Sequence, residues 1–277
     1  MGHASTLPVD AEAARDRLIA AAREAGAMAL DYFRPGARTT ARIEAKAGGS
    51  PVTQADLAVD AFLKARLGAE FANAGWLSEE SEDDPRRLAC ARLLIVDPID
   101  GTRAFLAGDP RWAVSIALVV DGRPVAGVVH APALAETYAA ARGCGASLNG
   151  APIVVSAATS LRDARIAGPR PMVDSIARAA GVSFDARPKI PSLAYRMALV
   201  ACGALDLGLA AEKSHDWDIA AVDLVLDEAG GRLVEASGAP LRYNGAETRH
   251  GALYAAPSPL VGALLEAVRR AAAADPA

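Results

Sequence analysis

A short apolar run in the first half of the chain ends in the hexapeptide Asp97–Thr102, with the sequence DPIDGT. Pro98 biases the residue before it toward an extended backbone, so a strand is predicted to continue through Asp97. Gly101 permits a tight turn, and Thr102 can begin a helix whose free N–H groups favour an anion. Two carboxylates would then lie beside an anion-accepting helix end, which suits Mg²⁺ because this ion prefers a few carboxylate oxygens together with water and phosphate.

The same hexapeptide also has simpler interpretations. Asp-Pro and Asp-Gly are each common in turns, and either dipeptide alone would indicate only the end of a strand. Two other motifs are excluded, because an EF-hand loop counted from Asp97 would need Glu where Gly108 stands, and the sequence contains no GxxxxGK[ST] loop. The interpretation as a metal site therefore depends on acidic residues elsewhere in the chain.

Residues 1–150 are predicted to form an α+β half. Apolar residues recur at helical spacing within Asp10–Phe33, and Thr53–Asp56 has the form of a capping box that opens a second helix. Two runs rich in β-branched residues, Trp112–Val120 and Pro124–His130, are joined by Asp-Gly, which is a strong hairpin signal. This half is expected to contain two helices and a largely antiparallel sheet.

Residues 151–277 are predicted to form an α/β half, because strand and helix signals alternate along them. The predicted strands lie near residues 164–167, 205–210, 231–234 and 252–256, and the predicted helices near 172–180, 192–201, 218–229 and 260–273. The sequence has no fixed-period repeat and no long linker, and 277 residues is a length that one or two domains can have. We therefore expect the two halves to share an interface and to form one compact unit.

Composition and charge exclude several classes of protein. The formal net charge is -4 and no run is dominated by Lys and Arg, which argues against a nucleic-acid binder. The longest apolar stretch, Trp112–Val120, is about half of the roughly 20 residues that a membrane-spanning helix needs, and the N-terminus lacks the apolar segment of a signal peptide. The three cysteines, Cys90, Cys144 and Cys202, show no zinc-binding or disulfide pattern. A cytoplasmic protein without nucleic-acid or membrane partners is expected.

Four segments, taken together and in order, resemble the signatures of the inositol monophosphatase superfamily of Mg²⁺-dependent, lithium-sensitive phosphatases. They are Lys46 with Pro51–Asp56, Ser78–Ser81, Asp97–Thr102 and Trp217–Ala221. The resemblance runs from the first helix to about Pro257. It implies a layered αβαβα sandwich of the inositol monophosphatase and fructose-1,6-bisphosphatase type, a phosphoric monoester hydrolase that acts on a small phosphorylated metabolite, and a homodimer.

The resemblance also implies a set of metal ligands. Glu79, Asp97 and the backbone carbonyl of Ile99 would hold one Mg²⁺ ion, and Asp97, Asp100 and Asp218 would hold a second. A third and looser ion is implied near Glu79. Two to three Mg²⁺ ions are therefore expected, gathered by carboxylates from both halves of the chain.

Catalytic roles follow from the same resemblance. Thr102, hydrogen-bonded to Asp56, would act with Glu79 to orient and deprotonate a water that attacks the phosphate in line. Metal coordination makes this assignment sensible, because it lowers the pKa of a bound water far below its bulk value. The backbone N–H groups of Gly101 and Thr102 would hold phosphate oxygens, and no covalent phosphoenzyme is required.

The acidic residues also have purely structural interpretations. Asp56 could be only a member of a helix cap, Glu79 lies in an acidic run typical of a solvated loop, and Asp218 could be only a helix N-cap. The neighbouring His215 and Asp216 are expected behind the ligands or on the surface. A catalytically silent metal- or phosphate-binding protein is a remote alternative, since it would lack at least one of the catalytic or metal-binding groups and none is missing.

Residues predicted to contact the substrate are Lys46, Arg103, Ser192, Glu212 and the backbone of Gly101 and Thr102. Inositol phosphatases of the family place a Glu seven residues before the last metal-binding Asp, and that position is Ala211 here. Related 3'(2'),5'-bisphosphate nucleotidases carry Lys where this chain has Arg103, a cation that would serve a second phosphate. The resemblance therefore favours hydrolysis of adenosine 3',5'-bisphosphate to AMP and phosphate, with inositol 1-phosphate or a broad range of sugar phosphates as the alternative.

Overall fold

Two main β-sheets and the helices packed on them make up the described part of the chain, residues 9–45 and 51–274 of the computed structural model. The α-helices are α1 (Ala11–Leu30), α2 (Gln54–Glu70), α3 (Thr102–Ala107), α4 (Arg170–Ala180), α5 (Leu193–Ala201), α6 (Asp216–Glu228) and α7 (Val261–Ala274). The strands are β1 (Ile43–Ala45), β2 (Pro51–Thr53), β3 (Gly75–Ser78), β4 (Arg92–Asp100), β5 (Ala113–Val120), β6 (Arg123–Ala131), β7 (Glu136–Ala141), β8 (Ala146–Leu148), β9 (Ala151–Ile153), β10 (Arg165–Ala167), β11 (Asp185–Ala186), β12 (Leu207–Ala210), β13 (Gly231–Glu235) and β14 (Leu253–Pro257). None of these helices combines the length and the apolar character needed to cross a membrane.

The first sheet has seven strands in the order β3-β4-β5-β6-β7-β8-β9. Its strands β3 and β4 run parallel and the other neighbours run antiparallel, as the sequence predicts for most of this sheet. The predicted hairpin joins β5 to β6 through Asp121 and Gly122, whose φ angles are 48° and 74°. Positive φ at both central residues is what a two-residue hairpin turn requires to match the twist of its strands.

The second sheet has five strands in the order β11-β10-β12-β14-β13. Strands β11, β10 and β12 run parallel, whereas β14 is antiparallel to both of its neighbours. The predicted alternation of strands and helices is observed, but the sheet is mixed. The reason is that β13 connects to β14 without a helix between them, and a parallel pair would need a crossover connection.

Alternating side chains of β4 show how the layers are stacked. Leu94 and Val96 point toward α1 and α2 and share a core with Leu18 and Leu63. Leu93 and its neighbours on the same face point the other way, into a core formed with α5, α6 and the inner face of the second sheet. The outer face of the second sheet packs on α4 and α7. The order of layers is therefore α, β, α, β, α, which confirms the predicted sandwich.

Three strands at the far edge of the first sheet, β7, β8 and β9, have no counterpart in the prediction from sequence. Alanine is depleted in strands, so the sequence ETYAAA of β7 carries no clear strand signal. Pairing with β6 along its whole length decides its conformation. The last strand of this sheet, β9, begins at Ala151, just past the predicted division between the two halves.

Buried His130 on β6 leads to a prediction about acid stability. Its Nδ1 lies 3.0 Å from Thr137 Oγ1, and its ring packs so closely on Gly26 that a Cβ there would lie 2.7 Å from it. Burial lowers the pKa of the imidazole to about 4, from an ordinary value of 6.5. The unfolded chain binds more protons between these two values, so a stabilising contribution that is present above pH 6.5 is lost as the pH falls toward 4.

His130→Gln is expected to remove this part of the pH dependence, because glutamine does not titrate. Between about pH 7.5 and about pH 5, the variant is expected to lose about 2 kcal/mol less unfolding free energy than the wild type loses. Urea unfolding of both proteins at the two pH values measures it. Equal losses of stability on acidification in the wild type and the variant would contradict the prediction.

Candidate active site

Three carboxylates from the two halves of the chain meet at one point of the fold. Asp97 and Asp100 lie at the end of β4, where the pairing with β5 shifts its register, and Asp218 lies in the first turn of α6. One carboxylate oxygen from each residue lies within 4.8 Å of the others. Asp97 and Asp100 are buried, with 1% and 5% exposure. The structure therefore brings together the three residues predicted to share one metal ion.

The carboxylate of Asp97 is the clearest sign that this cluster suits a cation. Its Oδ1 accepts a hydrogen bond from the backbone N–H of Ile99 at 3.0 Å, whereas its buried Oδ2 has no hydrogen-bond partner among the described residues. Burial, followed by the negative charge of Glu79 and of the other carboxylates nearby, raises the pKa of Asp97 well above its usual range. A buried charge without a partner is destabilising, and a bound cation would compensate it.

Asp100 is held by the N-terminus of α5. Its carboxylate accepts hydrogen bonds from the backbone N–H groups of Leu193 and Ala194 at 3.2 and 2.6 Å, and from the Ser192 hydroxyl at 2.5 Å. Burial raises the pKa of Asp100 to about 6, although these hydrogen bonds favour the charged form. The protein itself therefore orients this carboxylate, because the helix end supplies fixed donors.

Ser192 is predicted to contact the substrate, but the structure buries it against Asp100. The side chain is fully buried, its hydroxyl donates to Asp100, and its oxygen accepts from the backbone N–H of Tyr195 as the N-cap of α5. A Cβ added to Gly101, at φ 91°, would lie 3.2 Å from the Ser192 backbone, so this close approach requires glycine. An N-cap hydroxyl turns toward the free N–H groups of its own helix, and the Asp100 carboxylate binds at the same helix end. Ser192 therefore orients a carboxylate of the cluster.

Asp218 and Asp56 both belong to capping boxes. Asp218 is the third residue of α6, and its Oδ2 accepts from the backbone N–H of His215 at 2.6 Å. The alternative that Asp218 is itself the N-cap is wrong, because the helix begins earlier and His215 takes that position. Asp56 is the third residue of α2, and its Oδ2 accepts from the N–H and hydroxyl of Thr53 at 2.8 and 2.6 Å. Asp56 therefore does cap its helix, and its charge also contributes to the raised carboxyl pKa in the cluster.

Thr102 begins the short helix α3, as predicted, with Gly101 as its N-cap. Its hydroxyl donates to the backbone carbonyl of Ile99 at 3.2 Å, the same oxygen that is predicted to bind a metal. The predicted hydrogen bond to Asp56 is not formed within the described ranges, and Asp56 Oδ2 faces Thr53 instead. The joint role of Thr102 and Asp56 in orienting water stays a prediction.

Glu79 directly follows β3, and its charge helps to raise the carboxyl pKa in the cluster. Asp60 on α2, which is not among the predicted site residues, holds this segment. Its carboxylate accepts hydrogen bonds from the hydroxyls of Ser78 and Ser81 at 2.5 and 2.6 Å. The sequence feature that could have identified Asp60 is its spacing from Asp56. Asp60 comes one helical turn after Asp56, so both carboxylates lie on one face of α2.

A cleft of about 870 Å³ reaches this cluster and is lined by Asp218, Arg103 and Glu212 among others. Arg103 and Glu212 are exposed to solvent, so both can contact a bound molecule. Lys46 lies outside the described residues, and its contact with substrate stays a prediction.

The cleft is basic, unlike the chain as a whole. Among the residues that the structure describes, its lining has two acidic side chains and six cationic ones, which are Arg103, Arg170, Arg187, Lys189, Arg196 and Lys213. Arg170 and Arg187 form ion pairs with acidic neighbours along the chain. The side chains of Arg103, Lys189 and Lys213 form no salt bridge with any residue that the structure describes. Of these cations, Arg103 alone is predicted from the sequence, because the others are far apart in the chain and meet only in the fold.

The donor set and its surroundings fit Mg²⁺. Carboxylate oxygens are the hard ligands that this ion prefers. The N-termini of α2, α5 and α6 lie at Asp56, Asp100 and Asp218, and the positive end of a helix dipole stabilises a nearby carboxylate. The arrangement can therefore gather divalent cations at one end of a cleft that attracts anions.

The sequence model of the inositol monophosphatase family matches residues 10–273 of this chain. The histidinol-phosphatase of Chlorobaculum parvum is 41% identical over 136 residues, which are 49% of this chain and 51% of that protein. The histidinol-phosphatase of Mycobacterium tuberculosis is 39% identical over 209 residues, which are 71% of this chain and 78% of that protein. The 3'(2'),5'-bisphosphate nucleotidase CysQ of Aggregatibacter actinomycetemcomitans is 32% identical over 223 residues, or 74% of this chain and 80% of that protein.

A solved structure extends the similarity from motifs to the fold. The IMPase of Thermotoga maritima superposes with a TM-score of 0.79 at 27% identity and covers 94% of this chain and 98% of its own. The same layers and the same connections between them are therefore shared along nearly the whole chain.

Proposed function

The chain belongs to the inositol monophosphatase family, whose members are Mg²⁺-dependent phosphatases of phosphate monoesters, and we propose that it acts on a small metabolite with two phosphate groups. The proposed reaction is that of a 3'(2'),5'-bisphosphate nucleotidase. Adenosine 3',5'-bisphosphate and water would give AMP and inorganic phosphate.

The basic cleft is the observation that carries this proposal. A sugar or polyol with one phosphate would place its charge beside the proposed metal ligands. Arg103, Lys189 and Lys213, which form no salt bridge with a described residue, would then have no counter-ion. A second phosphate would give these cations a partner, and hydrogen bonds between charged groups are about twice as strong as neutral ones. Ala211 in the same lining offers no carboxylate to the hydroxyls of an inositol ring.

Bound Mg²⁺ would neutralise charge on the phosphate and lower the pKa of a water at the site. The residues proposed to hold two to three ions are Glu79, Asp97, Asp100, Asp218 and the carbonyl of Ile99. Glu79 is the proposed base that takes a proton from the attacking water, with Thr102 and Asp56 orienting that water. The backbone N–H groups of Gly101 and Thr102 are proposed to bind phosphate oxygens. Inhibition by Li⁺, a homodimer and a cytoplasmic location stay predictions.

Histidinol phosphate is a second candidate substrate, favoured by the 39% identity to the histidinol-phosphatase of M. tuberculosis. This molecule has one phosphate, an ammonium group and an imidazole. Its ammonium group would face Arg103, Lys189 and Lys213. In the described part of the lining, the only acidic side chains are those of Glu212 and of the proposed metal ligand Asp218. The charge of the cleft therefore favours the bisphosphate.

Side-by-side kinetics on three substrates test this choice. We expect kcat/KM for adenosine 3',5'-bisphosphate to exceed the values for inositol 1-phosphate and histidinol phosphate by about tenfold or more, which corresponds to about 1.4 kcal/mol of transition-state binding. A higher kcat/KM on either of the other two would overturn the substrate assignment and leave the phosphatase activity of the family in place.

Arg103→Ala is expected to lower kcat/KM for adenosine 3',5'-bisphosphate by about 10- to 100-fold, since a hydrogen bond to a charged group contributes about 1.5–3 kcal/mol. Activity on inositol 1-phosphate should change far less, because that substrate has no second phosphate. Arg178→Ala, on an exposed part of α4 outside the cleft, is the matched control. Equal losses on both substrates would exclude Arg103 as a contact of the second phosphate.

A further inference from the structure

The predicted metal ligands Glu79 and Asp218 come from different halves of the chain, and partly buried hydrogen bonds outside the cluster join the segments that carry them. We propose that Arg87 and Asn244, together with the carboxylates that they bind, form a clamp that sets the separation of these segments and thereby the affinity for Mg²⁺. This inference rests on the metal site of the proposed function.

Arg87 lies in the connection from β3 to β4, which also carries Glu79. Its side chain is 2% exposed, and its Nε and Nη2 donate to the two oxygens of Asp83 at 2.6 and 2.8 Å. The remaining nitrogen, Nη1, donates to the side-chain carbonyl of Asn244 at 2.9 Å and to the backbone carbonyl of Gly245 at 3.0 Å. The planar guanidinium therefore fastens this connection to the loop between β13 and β14.

Asn244 continues the link to α6. Its side-chain N–H donates back to the carbonyl of Arg87, and its backbone N–H donates to Asp216 Oδ2, both at 3.1 Å. Asp216 is 1% exposed, and its Oδ1 lies 2.8 Å from His250 Nε2. Of the two predicted placements of Asp216, the structure therefore has the buried one, next to the predicted ligand Asp218, and not the one on the surface. Because Asp216 is the first residue of α6 and Asp218 the third, these bonds fix the start of the helix that carries a metal ligand.

The position of the clamp indicates a role in metal binding. The clamp residues neither line the cleft nor belong to the carboxylate cluster, so they would not touch a bound ion or substrate. Repulsion among the carboxylates pushes their segments apart, whereas Mg²⁺ demands near-ideal octahedral geometry. A rigid external link counters that repulsion. In other proteins, removing a group that hydrogen-bonds directly to a metal ligand typically lowers metal affinity by about 10–100-fold. Arg87 and Asn244 act on the segments that carry the ligands, so the lower end of this range is expected.

Calorimetric titration of Mg²⁺ into the metal-free full-length protein, without substrate, tests the clamp. Arg87→Lys keeps the charge and loses the planar group, and Asn244→Gly removes a side chain while tolerating the φ of 64° found there. The Kd for Mg²⁺ is expected to rise at least about tenfold in both variants. The Mg²⁺ concentration for half-maximal activity should rise in parallel, with KM for the phosphate substrate at saturating Mg²⁺ changing less.

Arg165→Lys is the matched control. It removes a similar pair, in which Arg165 Nε and Nη2 donate to Asp206 at 3.0 and 2.7 Å in the second sheet. All three variants should lose stability, but only the two clamp variants should lose Mg²⁺ affinity. Wild-type Mg²⁺ affinity in folded Arg87→Lys or Asn244→Gly would overturn the clamp alone. If the wild type does not bind Mg²⁺, or if Asp100→Asn still binds it, the metal site of the proposed function is contradicted, and so is the clamp.

Discussion

Asp100→Asn is expected to lower kcat/KM by about 1,000-fold or more on any phosphate monoester that the enzyme hydrolyses. A divalent metal ion contributes several kcal/mol of transition-state charge stabilisation, and each 1.4 kcal/mol corresponds to about a factor of ten in rate. The amide keeps the shape of the side chain but offers only one oxygen. That oxygen must serve both the donors at the start of α5 and a metal ion. The loss should therefore appear in kcat at saturating substrate, where uniform substrate binding does not contribute.

Asp206→Asn is the matched control for this substitution. Asp206 is also 5% exposed and also accepts charge-assisted hydrogen bonds, from Arg165 in the second sheet, but it is not part of the carboxylate cluster. Its replacement should lower the melting temperature and leave kcat unchanged. Mg²⁺-stimulated activity of Asp100→Asn close to that of the wild type would exclude the cluster as the catalytic metal site, and an equal loss of kcat in both variants would indicate a folding defect.

The hexapeptide Asp97–Thr102 shows how far local sequence determines this site. The extended Asp97, the turn at Gly101 and the helix start at Thr102 depend on residues inside the hexapeptide, and the structure has all three. The strand itself continues to Asp100, further than predicted. This extension depends on pairing with β5 across a register shift, which is a long-range contact that the hexapeptide alone does not reveal.

The residues that position the ligands could not be predicted in the same way. Arg87 and its partner Asn244 are 157 positions apart, and neither lies in a recognisable motif. Ser192 has a motif-based assignment as a substrate contact, yet its orientation depends on how α5 approaches the end of β4. Sequence motifs therefore predict the carboxylates that meet at this site, whereas the contacts that support them arise only when the layers pack.

The capping boxes show that a structural and a functional interpretation of one residue are compatible. Asp56 and Asp218 each use Oδ2 to cap a helix and each contributes negative charge beside Asp97. Helix ends thereby hold carboxylates close together, against their mutual repulsion, where a divalent ion can bind. Such a cluster is expected to destabilise the metal-free fold.

The two carboxylates of β4 should respond in opposite ways to amide substitution when Mg²⁺ is removed by a chelator. Asp97 Oδ2 is buried and lacks a hydrogen-bond partner in the part of the chain that the structure describes, so an amide there replaces a repelled charge by a donor. Asp100 already accepts three hydrogen bonds, and an amide N–H would oppose at least one of the donors. Metal-free Asp97→Asn should therefore be more stable than the wild type by about 1–3 kcal/mol, and metal-free Asp100→Asn less stable by a similar amount.

Thermal unfolding with a chelator and then with Mg²⁺ separates these effects. A change of 1 kcal/mol shifts the melting temperature of a domain of roughly this size by about 2–4 °C, so both differences are measurable. Mg²⁺ should raise the melting temperature of the wild type because it binds only the folded chain, and it should raise that of neither variant. The order of the melting temperatures of the wild type and Asp97→Asn then reverses on adding the ion.

An Asp97→Asn variant that is less stable than the wild type in the chelator would contradict the repulsion inferred for the cluster. A rise in melting temperature with Mg²⁺ that persists in both variants would place the ion elsewhere. The reversal follows because the charge that weakens the metal-free fold is the same charge that binds the metal.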